Sequence, residues 1–293
     1  MGTDRKEPTL EFQAFKRRLR ELCGFDLDSY KGPQMERRTR QWMERRGIPS
    51  MGALIRRLEA DKKARSDFLD YLTINTSQFF RDPGTWEALR VRVLPGLLAS
   101  FGHLRIWSAA CSIGAEPYTL AIILDEMGQG GRHYLLATDI DEDALARAKV
   151  AEYHDLHLPS LPASSRQRYF TRTPGGMWRL DAALAATVRF RRHDLLREPY
   201  PLGFHLILCR HVMIYLTQEA QSFLLTHLAQ ALVAGGYLVV GGPEQIARPD
   251  EFGLERIEHS IYRRPPAGPS VSQAGAATAS TRAAWPGRAT GSL

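Results

Sequence analysis

A chain of 293 residues, 44% of them hydrophobic, is long enough for one large domain or two small ones around a sizeable core. No apolar run reaches the roughly 18 residues that span a bilayer, and the charged start Met1–Lys6 leads into no apolar signal segment, so a cytoplasmic protein without membrane insertion is expected. Cys23, Cys111 and Cys209 lie too far apart for a metal-ligand pattern or a disulfide framework, so no metal is expected, while a net charge of +7 suits an acidic partner.

The first 73 residues read as a basic, all-helical unit with 17 Lys/Arg against 12 Asp/Glu. Phe12, Phe15, Leu19 and Leu22 fall on one helix face, and Gly24 stops that helix. After Pro33 a second helix carries the stripe Met35, Trp42 and Met43. Arg37 and Arg40 project opposite this stripe, and Arg38 and Arg45 flank it. Ser50 can cap a third helix with Leu54, Ile55 and Leu58, and Phe68, Leu69 and Leu72 mark a fourth. The four arginines make either a docking face or an ordinary solvated helical surface.

The pattern changes after about residue 100. Short strand-like runs at 104–107, 134–138, 206–209 and 237–240 alternate with helical stretches at 117–127, 143–151 and 218–232. Such alternation predicts a parallel sheet wound on both faces, here over residues 74–264. Residues 153–190 interrupt it with Pro and Gly, a short helix at 164–169 and strand candidates at 178–180 and 187–190, and read as a small inserted subdomain. The tail, 265–293, is rich in Ala, Gly, Ser, Thr and Pro and is expected to be disordered.

In doubly wound sheets ligands bind at the carboxyl ends of the strands. The first strand leads into Ser108-Ala109-Ala110-Cys111-Ser112-Ile113-Gly114-Ala115-Glu116, whose small side chains allow close approach to the backbone, although Gly114 alone does not make a dinucleotide fingerprint. Asp139 closes the second strand, where an acid can accept hydrogen bonds from ribose hydroxyls, and Asp194 follows a later strand-like run. Each also has an ordinary reading, a helix N-cap for Asp139 and a surface acid for Asp194. With the loop, the three point to an adenosine ligand.

Four segments resemble the motifs of the CheR-type chemoreceptor glutamate methyltransferases. Asn75-Thr76-Ser77-Gln78-Phe79-Phe80-Arg81 resembles N-x-T-x-F-F-R; Trp107 to Tyr118 resembles W-S-A-A-x-S-T-G-E-E-P-Y; Asp139-Ile140-Asp141 matches D-I-D; and Cys209 to Tyr215 resembles C-R-N-V-M-I-Y. The resemblance runs in order from about residue 10 to 264. It implies a Rossmann-like α/β methyltransferase sheet, mostly parallel and seven-stranded, with an N-terminal helical domain and an inserted antiparallel β-subdomain. It implies S-adenosylmethionine as cofactor, with S-adenosylhomocysteine as product. By the same resemblance Asn75, Ser77, Arg81, Gly114, Glu116, Asp139, Asp194, Leu195, Arg210 and His211 belong to the cofactor site, and Arg81 and Tyr215 sit beside the transferred methyl. The implied substrate is a glutamate carboxylate on the cytoplasmic domain of a chemoreceptor, met at receptor arrays. Arg37, Arg38, Arg40 and Arg45 of the second helix would guide docking, and the β-subdomain could grip a receptor C-terminal peptide.

The sequence departs from the pattern at Ser77 for Thr, Ala115 for Glu, Asp194 for a frequent Asn, His211 for Asn and Gly242-Pro243-Glu244 for H-S-E. Two other functions share this cofactor site: a nucleic-acid methyltransferase, and a non-catalytic cofactor-sensing regulator suggested by Ala115 and His211. No N/D-P-P-Y/F motif or catalytic Cys pattern supports the former, and nucleic acid is not the expected partner. A carboxylate is already ionised at neutral pH, so esterifying it needs no general base.

Overall fold

The computed structural model describes residues 9–73 and 77–266; Asn75 and the tail beyond 266 lie outside them. Four helices form the amino-terminal unit: α1 (Leu10–Cys23), α2 (Gly32–Arg45), α3 (Met51–Ala60) and α4 (Lys62–Thr73). Thr9 caps α1 by accepting from the Phe12 amide. Gly24 ends it in the left-handed region at φ 74, with its N–H returned to the Arg20 carbonyl. The expected apolar stripes meet as one core of Phe12, Phe15, Leu19, Met35, Trp42, Met43, Leu54, Leu58, Phe68 and Leu72, with Leu22, Ile55 and Leu69 at its rim.

A helix with a π-turn at its centre follows, built from α5 (Pro83–Ala88) and α6 (Leu94–Phe101). Then come β1 (Arg105–Ala109), α7 (Ala115–Glu126), β2 (Tyr134–Asp139), α8 (Glu142–Val150), β3 (Glu152–Tyr153), α9 (Ala163–Tyr169), β4 (Phe170–Arg172), β5 (Trp178–Leu180), α10 (Ala182–Ala185), β6 (Val188–Arg192), β7 (Phe204–Cys209), α11 (Gln218–Ala231), β8 (Leu232–Val240), β9 (Glu255–Glu258) and β10 (Ile261–Arg263). The main sheet has seven strands in the order β6-β2-β1-β7-β8-β10-β9. Its first five strands are parallel, and β10 runs antiparallel to both β8 and β9. One core fills the α7 and α8 side of the sheet and a second lies against α11.

The three short strands β3, β5 and β4 form a separate antiparallel sheet. One expectation is corrected here. The run at 187–190 does not belong to the insertion: β6 pairs parallel with β2 from Leu135↔Val188 to Asp139↔Arg192 and forms the edge of the main sheet. Val188 and Phe190 bury their side chains against the main core. A five-residue strand shows in sequence that it has one apolar face, but not which sheet that face will cover.

The helical unit docks onto the carboxyl ends of the strands through one backbone seam. Tyr30 bridges antiparallel to Leu216, the Lys31 amide donates to the Tyr215 carbonyl at 2.8 Å, and the Thr217 amide donates to the Ser29 carbonyl at 3.0 Å. Ile140 and Tyr215, from the methyltransferase unit, pack against the core of the helical one. Among the described residues no helix is long and apolar enough to cross a membrane.

Candidate active site

Three loops converge beneath that seam: residues 77–82 before α5, 110–114 between β1 and α7, and 210–215 after β7. Among the described residues six non-glycine positions have positive φ, and Phe80, Asp82, Ala110, Ser112 and His211 all lie in these loops; Ala151 is the exception. Left-handed backbone is costly for side chains with a Cβ and persists where surrounding contacts enforce it, which is common at functional sites. Together the loops enclose a cavity of about 130 Å³ lined by Tyr30, Ser77, Arg81, Glu116, Asp139, Arg210, His211 and Tyr215, among others.

Asp139 ends β2 with its carboxylate held by two backbone amides, Ser112 N–H at 2.7 Å and Asp141 N–H at 3.0 Å. It does not cap the next helix. Asp141 does so, accepting from the Asp143 and Ala144 amides, and Asp139 is left to face the cavity. Burial pushes the Asp139 carboxyl up to about 6 against the pull of those amides. Glu116, in the first turn of α7, accepts from the Ser108 hydroxyl at 2.7 Å and from the Arg210 guanidinium at 3.3 Å. Burial raises its pKa, and Arg210 and Ser108 oppose the rise.

Arg210 is the hub beneath the floor. Its side chain is 2% exposed, and it donates to Glu116, to the Arg81 carbonyl at 2.7 Å and to Asp82 at 2.8 Å, while stacking over Trp86. It therefore braces the loops as well as lining the cavity. Tyr215 stands at the rim. Burial raises its phenol, and the neighbouring Arg38 and Arg81 charges pull it back. Ser77 is fixed from the insertion, because its carbonyl accepts from His157 Nδ1 at 2.9 Å and the next amide but one, Phe79 N–H, donates to the His157 carbonyl.

A second, narrower slot continues past Asp139. Asp194 and Leu195 line it with Tyr30, Ile140, Val212 and Leu216, which leaves an apolar cleft with Asp194 as a further acid. Gly114 is placed differently from the expectation: it does not line either cavity. Its φ of 85 opens α7, and a Cβ there would come within 2.9 Å of the Ala148 Cβ, so glycine is needed for the turn and for close packing. The α2 arginines also separate. Arg37 and Arg45 are exposed; Arg40 pairs with Glu36 and Glu11; and Arg38 turns inward over the Tyr71 ring, donating to the Tyr71 carbonyl.

Two participants carried no expected site role. Asp82 follows the Arg81 motif directly and touches both Arg210 and His211. Glu244, buried, accepts from the amides of His211, Gly241 and Ile214 and so ties the loop after β8 to the one carrying Tyr215. The final Glu of the H-S-E pattern was its only signal.

Comparison with known proteins identifies the family. Residues 75–261 match the family described as CheR methyltransferase, SAM binding domain, and residues 10–73 match CheR methyltransferase, all-alpha domain. The chain is 39% identical over 259 residues to a chemotaxis protein methyltransferase of Listeria monocytogenes, covering 87% of this chain and 98% of that one. It is 35% identical over 266 residues to chemotaxis protein methyltransferase 1 of Pseudomonas aeruginosa, covering 87% and 97%. A chemotaxis protein methyltransferase of Vibrio anguillarum is 30% identical over 261 residues, covering 86% and 95%. The chain thus belongs to the CheR methyltransferase family and is an S-adenosylmethionine-dependent methyltransferase.

Proposed function

We propose that the protein esterifies glutamate side chains on the cytoplasmic part of a chemoreceptor. The observation that carries this reading is the meeting of Arg81 and Tyr215 with two acids, the half-buried Glu116 and the buried Asp139, in one cavity. The donor set suits S-adenosylmethionine. Asp139, with amide donors on both oxygens, keeps lone pairs for ribose hydroxyls; Glu116 offers a carboxylate to the ammonium; and the slot at Asp194 and Leu195 fits an adenine. When bound, the cofactor supplies an electrophilic methyl on a sulfonium.

The rest of the work is positioning and electrostatics. With the cofactor bound, a carboxylate oxygen held here would take the methyl as the carbon–sulfur bond gave its electron pair to sulfur, so no residue of the site would need to take or give a proton. Arg81 can hold the incoming carboxylate through its planar fork, and Tyr215 orients the reacting atoms from the rim. An anion and a cation become neutral products, so the cover provided by the helical domain favours reaction by keeping water out. The exposed arginines of α2, Arg37 and Arg45, can guide an acidic receptor helix, and the small β3-β5-β4 sheet is the candidate grip for a receptor C-terminal peptide.

The deciding assay is transfer of tritiated methyl to receptor-rich membranes followed by mild alkali. Counts released as methanol are expected. Alkali-stable counts, or counts on nucleic acid, would overturn the reading.

A further inference from the structure

His211 stands where the family motif has Asn, and its ring is turned toward the Arg81 loop. Its Nε2 lies 3.0 Å from Asp82 Oδ2. Asp82 sits in the left-handed region, φ 59 and ψ 70, immediately after Arg81. A carboxylate oxygen only accepts, so Nε2–H is the donor. Burial, followed by the Arg81 and Arg210 charges, holds the imidazole down at about 4, so at neutral pH the ring is uncharged and adds no repulsion beside Arg81.

The ring is fixed from behind. The His211 amide donates to Glu244 Oε2 at 2.6 Å with the residue itself at φ 63. Gly241 leaves little spare room, since a Cβ there would lie 2.9 Å from His211 Nδ1. From the other side Asp82 is gripped by Arg210, and the Arg81 carbonyl accepts from both Arg210 and the Trp86 indole, the latter at 2.9 Å. Nε2 of histidine lies one bond farther from the backbone than the amide nitrogen of asparagine, so histidine reaches farther toward this loop.

We propose that His211 is a positioning residue for Arg81: its Nε2–H bond to Asp82 holds the left-handed turn that presents the Arg81 side chain to the cleft. The inference rests on the reading of Arg81 as the group that receives the carboxylate. Nothing is transferred to or from the imidazole. Its contribution is to select one conformation of a strained loop.

Glutamine places a neutral donor at the same bond count, so His211→Gln is the conservative test and His211→Ala the disruptive one. The Trp86 indole N–H resonance, assigned with Trp86→Phe in ¹⁵N-labelled protein, reports the Arg81 carbonyl without any catalysis. His211→Ala should move this resonance and lower the single-turnover rate roughly tenfold at saturating S-adenosylmethionine. His211→Gln should restore both. Asp82→Ala should match His211→Ala, and the double variant should lose little more than either single.

An unmoved resonance in folded His211→Ala overturns the proposal, as do additive losses. So does a wild-type rate that inflects near pH 6.5 and becomes flat in His211→Gln, because the imidazole would then be titrating. If wild-type protein methylates no receptor fragment, the glutamate reading fails on its own, and the indole resonance still decides whether His211 holds the turn.

Discussion

The guanidinium of Arg210 and the carboxylate of Glu116 meet at 3.3 Å beneath the cleft, although 94 residues separate them in the chain. Their side chains are 2% and 13% exposed, so this is a buried pair. Removing one partner of such a pair strands the other charge. Arg210→Met should therefore cost about 3–5 kcal/mol in urea unfolding. Arg210→Lys should recover only part of that, because one ammonium cannot serve Glu116, Asp82 and the Arg81 carbonyl together. Wild-type stability in Arg210→Met would show that the network is dispensable.

Asp139 gives cofactor binding a pH dependence. Its carboxyl is raised to about 6 in the unliganded fold, and ribose hydroxyls favour the ionised form. Binding therefore releases a proton below about pH 6, and S-adenosylhomocysteine should bind progressively more weakly as the pH falls through that value. Asp139→Asn should abolish this slope, and Asp139→Ala should weaken binding at pH 7.5 by about 1–3 kcal/mol. Titration calorimetry in buffers of different ionisation enthalpy measures both effects. Affinity independent of pH from 5 to 7.5 would remove Asp139 from the site.

Arg81 and Tyr215 line the same cavity from loops far apart in the chain, one before α5 and one after β7. Replacing either should lower kcat while cofactor binding largely survives. Arg81→Lys keeps the charge without the fork and should stay impaired; Tyr215→Phe isolates the hydroxyl from the ring. Single-turnover methylation with each variant and the double tests whether they act on one transition state, which predicts non-additive losses. A wild-type rate in folded Arg81→Ala or Tyr215→Ala would exclude that residue.

A second pH effect lies at the seam between the units. Asp70 of α4 hydrogen-bonds Asp141 ahead of α8, with Arg147 at 3.7 Å from Asp70 and Ser66 bonded to Asp143. Burial first, and then the Asp141 bond and charge, lift the Asp70 carboxyl to about 8. A carboxyl raised in the fold contributes stability fully below its unfolded value near 4, and that contribution disappears as the pH rises through about 8. Wild-type Tm should fall between pH 5 and 8 more steeply than that of Asp70→Asn. Parallel Tm profiles would show that no proton is shared there.

On α2 the arginines should divide by their partners. Arg40→Glu loses the Glu36 and Glu11 contacts and should cost about 0.2–1 kcal/mol of domain stability, as exposed pairs do. Arg37→Glu should leave stability unchanged and raise KM for an acidic receptor fragment, more at 20 mM salt than at 300 mM. Equal, salt-independent KM values would take this face out of docking.

The sequence by itself determined the four helical stripes, the strand–helix alternation and the small-residue loop after β1. It also placed Asp139 at a strand end and Arg81 and Tyr215 within recognisable motifs. Each of these depends on local periodicity or on residue types a few positions apart. Only the tertiary structure decided that β6 joins the main sheet, that Gly114 serves packing, that Arg38 turns inward while Arg37 stays exposed, and that Arg210, Asp82, His211 and Glu244 form one hydrogen-bonded network. The reason is physical. A side chain's charge state and direction follow from its burial and its partners, and here those partners come from loops that are distant in the chain and brought together only when the helical unit, the insertion and the sheet pack against one another.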